Sequence, residues 1–241
     1  MREVEEKLKN DNFAYIVSEC PMQAEGGARI INPQTFSYLH DLCQKYGKVL
    51  VADCVQMGGR AWTIDGNFVS PFAKEVLKFA DIITFGKIFH VNGTMVRDFT
   101  KLNRGFENNW VDTHGPKRLG GTWTGHISQM ATGYAIVQTV LQKKLYKNAI
   151  DITQHILAAM QKMVKKYPHL LTNARGRSDA GYLAWSFVNS ETRDAFKKRM
   201  IENEHIIFLT AGDISIRLAP CADMTREEAD CILEAIENQL H

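Results

Sequence analysis

Two residues carry the chemistry that this sequence offers. Lys87 stands in ADIITFGKIFHVNGTMV, after the apolar run Ile82-Ile83-Thr84-Phe85 and a single Gly86. A lysine at the end of a buried strand loses solvation of its ammonium form. The neutral amine that results is the nucleophile of Schiff-base chemistry. A solvated lysine at a strand end is the other reading of the same position. Asp53 stands in KVLVADCVQMGGR, at the carboxyl end of the apolar run Val49-Leu50-Val51-Ala52. Open α/β sheets bind their ligands at that end of the strands. A carboxylate there asks for a cationic partner. The protonated ring nitrogen of pyridoxal phosphate is one, and the pairing keeps the ring an electron sink. Capping of the next turn is the other job of a lone aspartate there.

The elements around these residues alternate as strand, helix and strand, the pattern of a parallel α/β sheet. Residues 2–11 read as the tail of a helix, and 13–18 as a strand. Asn32-Pro33 opens a helix as N-cap and first residue; Phe36, Leu39, Cys43 and Tyr46 follow at helical spacing, and Gly47 ends it. Strands are expected at 48–53, 81–85 and 91–96, with a helix at 71–79. Residues 97–125 are polar and irregular, long for a connecting loop. Helices follow at 128–141 and 147–166. The remainder reads as a small α+β domain: a strand at 182–188, a helix at 191–203, a hairpin-like pair at 206–210 and 214–218, and a last helix from Thr225 opened by a capping box with Glu228. The expected division is therefore 1–145 for part of a large domain and 146–241 for a linking helix and a small domain.

The 241 residues suffice for a sizeable core. The formal net charge of +2 gives no footprint for nucleic acid. No apolar stretch is long enough to span a membrane. The start, MREVEEKLKNDNF, lacks the apolar core of a secretory signal, and its acidic residues speak against a conventional mitochondrial presequence. The five cysteines, Cys20, Cys43, Cys54, Cys221 and Cys231, form no CxxC pair. Reduced thiols in an intracellular protein, cytoplasmic or in the mitochondrial matrix, and no metal site are the expectation.

Six motifs in order then resemble the class III, fold-type I aminotransferases that depend on pyridoxal phosphate, nearest to the lysine ε- and γ-aminobutyrate branch. They are PMQAEGG (21–27), ADCVQMGG (52–59), ITFGK (83–87), GGTWTGH (120–126), ARGR (174–177) and IRLAP (216–220). The resemblance implies a partial fold-type I large domain followed by a small α+β domain. It implies that Lys87 is the catalytic Schiff-base lysine and that Asp53 faces the pyridine nitrogen. Gln56 matches the residue near the cofactor's phenolic oxygen, and Thr122 the one that reaches the phosphate of a neighbouring subunit. Departures accompany the matches. Cys20 and Cys54 stand where the pattern has acidic residues. The arginine that grips the substrate carboxylate falls at Ala219; Arg217, two residues earlier, is expected to point to the opposite face of a strand at 214–218 and so is not an obvious replacement. The family's glycine-rich phosphate loop and its stacking aromatic, from the half preceding the strand at residue 13, have no match. Two functions follow. One is amino transfer from a terminal amine to a 2-oxo acid such as 2-oxoglutarate, in a homodimer or larger complex. The other is a truncated, non-catalytic homologue acting as a structural subunit.

Overall fold

The structure is a computed structural model, and it describes residues 2–10, 12–58, 77–97 and 124–241. These fall into two compact units. One takes the residues up to Cys20, Asn32–Gly58 and those up to Gln138; the other takes Pro21–Ile31 and Thr139–His241.

The first unit is built on a four-stranded sheet in the order β1-β4-β5-β6. β1 (Tyr15–Glu19) and β4 (Val49–Asp53) run parallel, with Tyr15 opposite Val49 and Glu19 opposite Asp53. β5 (Ile82–Phe85) lies parallel on the other side of β4, with Asp53 opposite Thr84. β6 (Gly93–Val96) returns antiparallel, so the sheet is mixed and not purely parallel. The reason is reach: a parallel return needs a crossover of about a dozen residues or more, and the link between β5 and β6 is too short for one.

Two described helices precede β4. α1 (Arg2–Asn10) is joined to α2 (Pro33–Lys45) through Glu5, which accepts from Lys45 Nζ at 2.7 Å and Tyr46 Oη at 3.1 Å. α2 starts where its cap predicts. The Asn32 side chain accepts from Gln34 N, Pro33 needs no donor partner, and Gly47 takes the left-handed conformation beyond the end. Phe36, Leu39, Leu42 and Cys43 form its buried face, and the helix lies against β4. Leu50 and Ala52, on one face of β4, are fully buried. Val49 and Val51, on the other, are only half-buried, and their β1 partners Tyr15 and Val17 are 59% and 54% exposed. Asp81 closes the base of the ladder: its Oδ2 accepts from Leu50 N at 3.0 Å while its own N–H donates to Leu50 O at 2.9 Å. α3 (Ile127–Gln142) ends this unit and enters the next. Among the described residues no helix is long and apolar enough to cross a membrane.

The second unit is an antiparallel sheet in the order β7-β8-β10-β9, made of β7 (Leu171–Arg177), β8 (Tyr182–Phe187), β9 (Leu209–Ala211) and β10 (Ser215–Leu218). Helices α4 (Leu145–Lys166), α5 (Ser190–Glu204) and α6 (Arg226–Asn238) contribute to one core with it. β8 is buried at every position. Trp185 meets Phe208 edge-on at 5.4 Å, and Phe187 meets Phe196 at 5.1 Å. The expected capping box of the last helix is present with both bonds, Thr225 to Glu228. β2 (Met22–Gln23) and β3 (Arg29–Ile30) form a small hairpin in the same unit.

Arg175 on β7 joins that hairpin to the sheet. Its guanidinium donates to the carbonyls of Ala28 (3.0 Å) and Gly27 and to the hydroxyls of Ser186 (2.7 Å) and Ser215 (3.0 Å). The adjacent Gly176 packs so closely on β8 that a Cβ would lie 2.6 Å from Tyr182 O. The motifs PMQAEGG and ARGR, far apart in sequence, thus meet here.

Two substitutions test these joints in denaturant unfolding. Arg175→Ala removes a charged donor from four acceptors and is expected to cost about 2–3 kcal/mol, with Arg175→Lys restoring little of it because an ammonium lacks the planar fork. Asp81→Ala leaves the Leu50 N–H without this carboxylate in the interior, and is expected to cost about 1–3 kcal/mol. Unchanged midpoints would show that neither side chain holds its layer in place.

Candidate active site

The carboxyl ends of β4 and β5 lie side by side in the parallel ladder, and residues with chemical capability stand at or just beyond them. Asp53 closes β4. Its Oδ1 accepts from Val55 N and from Thr84 Oγ1, both at 3.0 Å. These two bonds cap the turn after β4 and orient the carboxylate, so Asp53 does the local job of a turn residue as well. Among the described residues Oδ2 accepts no hydrogen bond. One oxygen held by two donors and the other open is what a protonated ring nitrogen requires, and the site fits that part of pyridoxal phosphate.

Lys87 follows β5 by two residues and opens a short 3-10 turn, Lys87–Phe89. Its backbone has φ 46°, a conformation that few residues other than glycine adopt. Such positions cluster where a side chain must be aimed. A Cβ on Gly86 before it would lie 2.1 Å from Asn92 Oδ1, so a larger residue there would displace the Asn92 side chain. The Lys87 side chain itself is exposed. This departs from the buried environment expected from the apolar run. All four residues of β5 are only half-buried, so the described residues form no apolar enclosure at the strand's end.

Gln56 is half-buried in the turn that follows Asp53, a turn closed by Gly58 N donating to Cys54 O at 2.5 Å. Thr122 lies outside the described residues, as does most of the motif around it. Cys20 and Cys54 sit at the same end of β1 and β4, both buried. Burial, with Cys54 and Asp53 nearby, pushes the Cys20 thiol well above the usual range. Burial and then Asp53 push Cys54 up to about 12. Both thiols are therefore neutral at pH 7.

The second unit holds Arg217, the arginine that the sequence argued against as a carboxylate partner. Arg217 on β10, with a side chain 15% exposed, pairs with Glu25 Oε1 at 3.2 Å and donates to Tyr182 Oη at 3.4 Å. Glu25 is anchored in turn, its carbonyl accepting from Gly212 N at 2.7 Å. The expectation that Arg217 faces away was wrong in parity, because residues two apart on a strand share a face; Ala219 itself lies just past the end of β10. An arginine whose charged partner is an exposed glutamate is suited to exchange that partner for another carboxylate.

Comparison with known proteins is consistent with these features. The aminotransferase class III family matches residues 1–240. L-lysine-epsilon aminotransferase of Mycobacterium bovis is 26% identical over 234 residues, covering 95% of this chain and 48% of the relative. The 4-aminobutyrate aminotransferase of Saccharomyces cerevisiae is 26% identical over 244 residues, covering 99% and 48%. Among solved structures, a lysine aminotransferase from M. tuberculosis superposes with TM-score 0.82 at 24% identity, over 99% of this chain and 52% of its own. An acetylornithine aminotransferase from Elizabethkingia anophelis does so with TM-score 0.75 at 24% identity, over 99% and 57%. The structural likenesses bear on the fold, a partial fold-type I arrangement. The chain spans about half the length of the curated relatives it matches. With the family matched over nearly every residue, the chain belongs to the class III aminotransferases.

Proposed function

We propose that the chain supplies the lysine and carboxylate side of a pyridoxal-phosphate aminotransferase site. The amino donor is a terminal amine of the lysine ε or γ-aminobutyrate kind, and the acceptor a 2-oxo acid such as 2-oxoglutarate. The observation that carries this reading is the pairing of β4 with β5, which sets Asp53 and the residues leading to Lys87 at one end of one sheet. When bound, the cofactor supplies an aldehyde that captures amines and a ring that withdraws electrons from the substrate carbon.

The rest is work for this chain's own residues. Asp53 Oδ2 would accept a hydrogen bond from the ring nitrogen's N–H, a contact that favours the protonated ring. Thr84 Oγ1 and Val55 N hold the other oxygen, so the carboxylate does not reorient during turnover. Lys87 Nζ would serve as the general base that takes a proton from the substrate carbon and as the acid that returns one. Gln56 is assigned to the phenolic oxygen and Thr122 to the phosphate, on the strength of the motifs that contain them. The described residues contribute no further phosphate cradle to this reading.

A second reading, a structural subunit of a larger assembly, is favoured by one observation. The β1 face bearing Tyr15 and Val17 is exposed, whereas sheets of this kind are normally covered on both sides. A homodimer or a larger complex would cover it, in either reading.

Absorbance separates the two. Under the catalytic reading the purified chain, given excess pyridoxal phosphate, develops a protein-bound cofactor band that shifts on adding an amine and is missing in Lys87→Ala. Transamination in that variant falls by about 10²–10⁴-fold or more. Asp53→Asn keeps the size of the side chain and loses the charge. It is expected to weaken cofactor binding by about 2 kcal/mol, roughly thirtyfold in Kd. A chain that stays colourless in excess cofactor supports the structural reading.

A further inference from the structure

Two buried thiols lie next to the candidate site and have no part in the chemistry above. In the β1–β4 ladder Glu19 stands opposite Asp53, so Cys20 and Cys54 are the next pair in register. That ladder continues past Glu19, since Cys20 N donates to Asp53 O at 3.0 Å; Cys54 N bonds on its other side, to Thr84 O of β5 at 3.0 Å. Paired residues on neighbouring strands point to the same face, here the file that runs through Ser18 on β1 and Leu50 and Ala52 on β4. Adjacent strands are about 4.8 Å apart, inside the Cα separation of about 4.4–6.8 Å that a disulfide spans. Cys20 is 0% and Cys54 4% exposed. Cys43 is buried on α2, and the exposed Cys221 and Cys231 belong to the other unit.

We infer that Cys20 and Cys54 form a redox-active dithiol, which a small hydroperoxide closes to a disulfide joining β1 to β4. The step balances without any further reagent. One sulfur attacks the peroxide, its O–O bond breaks, and a sulfenic acid forms with release of water or an alcohol. The second sulfur then attacks the first, its proton goes to the departing hydroxide, and water leaves. Two thiols lose two electrons and two protons, and the peroxide gains them. Burial decides which reagents take part: bulky disulfides are shut out, and a peroxide as small as hydrogen peroxide would enter at Cys54, the one of the two that keeps any exposure. Because the thiols are neutral at pH 7, closure is slow and demands sustained oxidant, unlike the response of an exposed low-pKa sensor. The bond would fasten β1 to the strand that carries Asp53. It does not depend on the chain's being a transaminase.

The test uses the whole chain. Exposed thiols are capped with N-ethylmaleimide under native conditions, hydrogen peroxide is added, and the protein is denatured, alkylated and mapped by mass spectrometry. The expected result is a linked peptide joining Cys20 to Cys54, lighter by two hydrogens, as the main form of both cysteines after hours of exposure. Cys43 is recovered as an alkylated thiol, and dithiothreitol reverses the link. Cys54→Ala abolishes it; should that variant fail to fold, the wild-type map decides alone. Recovery of Cys20 and Cys54 as separate alkylated thiols or sulfinic acids, or linked to other cysteines, overturns the inference.

Discussion

Thr84 Oγ1 donates to Asp53 Oδ1 across the β4–β5 ladder, and the rest of the site is arranged around that bond. It exists because the two strands run parallel in a register that puts Asp53 opposite Thr84. At the other end of the ladder Asp81 fixes the register with two bonds to the Leu50 backbone. A slip of one residue would turn Asp53 to the face of Leu50 and Ala52, where burial would penalise its charge. The carboxylate's position is thus a property of the sheet, and the strained lysine three residues beyond Thr84 inherits its place from the same pairing.

The elements legible in the sequence are those whose signals are local. Asn32, Pro33 and Gly47 mark α2 to within a residue or two, and Thr225 with Glu228 marks the last helix. The strand runs 49–53 and 82–85 are apolar and short, with turn residues at their ends. β7 was not legible: LTNARGR has neither alternation nor a β-branched bias, and it is a strand because Arg175 and Gly176 are claimed by the hairpin and by β8. The antiparallel return of β6 followed from link length, a constraint that the apolar pattern does not carry.

The candidate residues are readable by type from the sequence, and their environment is not. Asp53 and Lys87 are identified by their position at strand ends, but whether a strand end is enclosed depends on layers packed from distant sequence. Lys87 is exposed because β5 is only half-covered among the described residues. Arg217 was set aside on the wrong strand parity, since residues two apart on a strand share a face, and its pairing with Glu25 joins residues far apart in the chain. Cys20 and Cys54 read as isolated departures in the sequence. Only the register of β1 with β4 makes them a pair.

The central claim, that Lys87 is the residue placed to bond the cofactor, is tested most directly by reductive trapping. The chain is incubated with pyridoxal phosphate, reduced with borohydride, digested and mapped. The account predicts a single pyridoxyl group per chain, carried by Lys87 while the other lysines remain unmodified. Label scattered over surface lysines, or absent from Lys87, would contradict it.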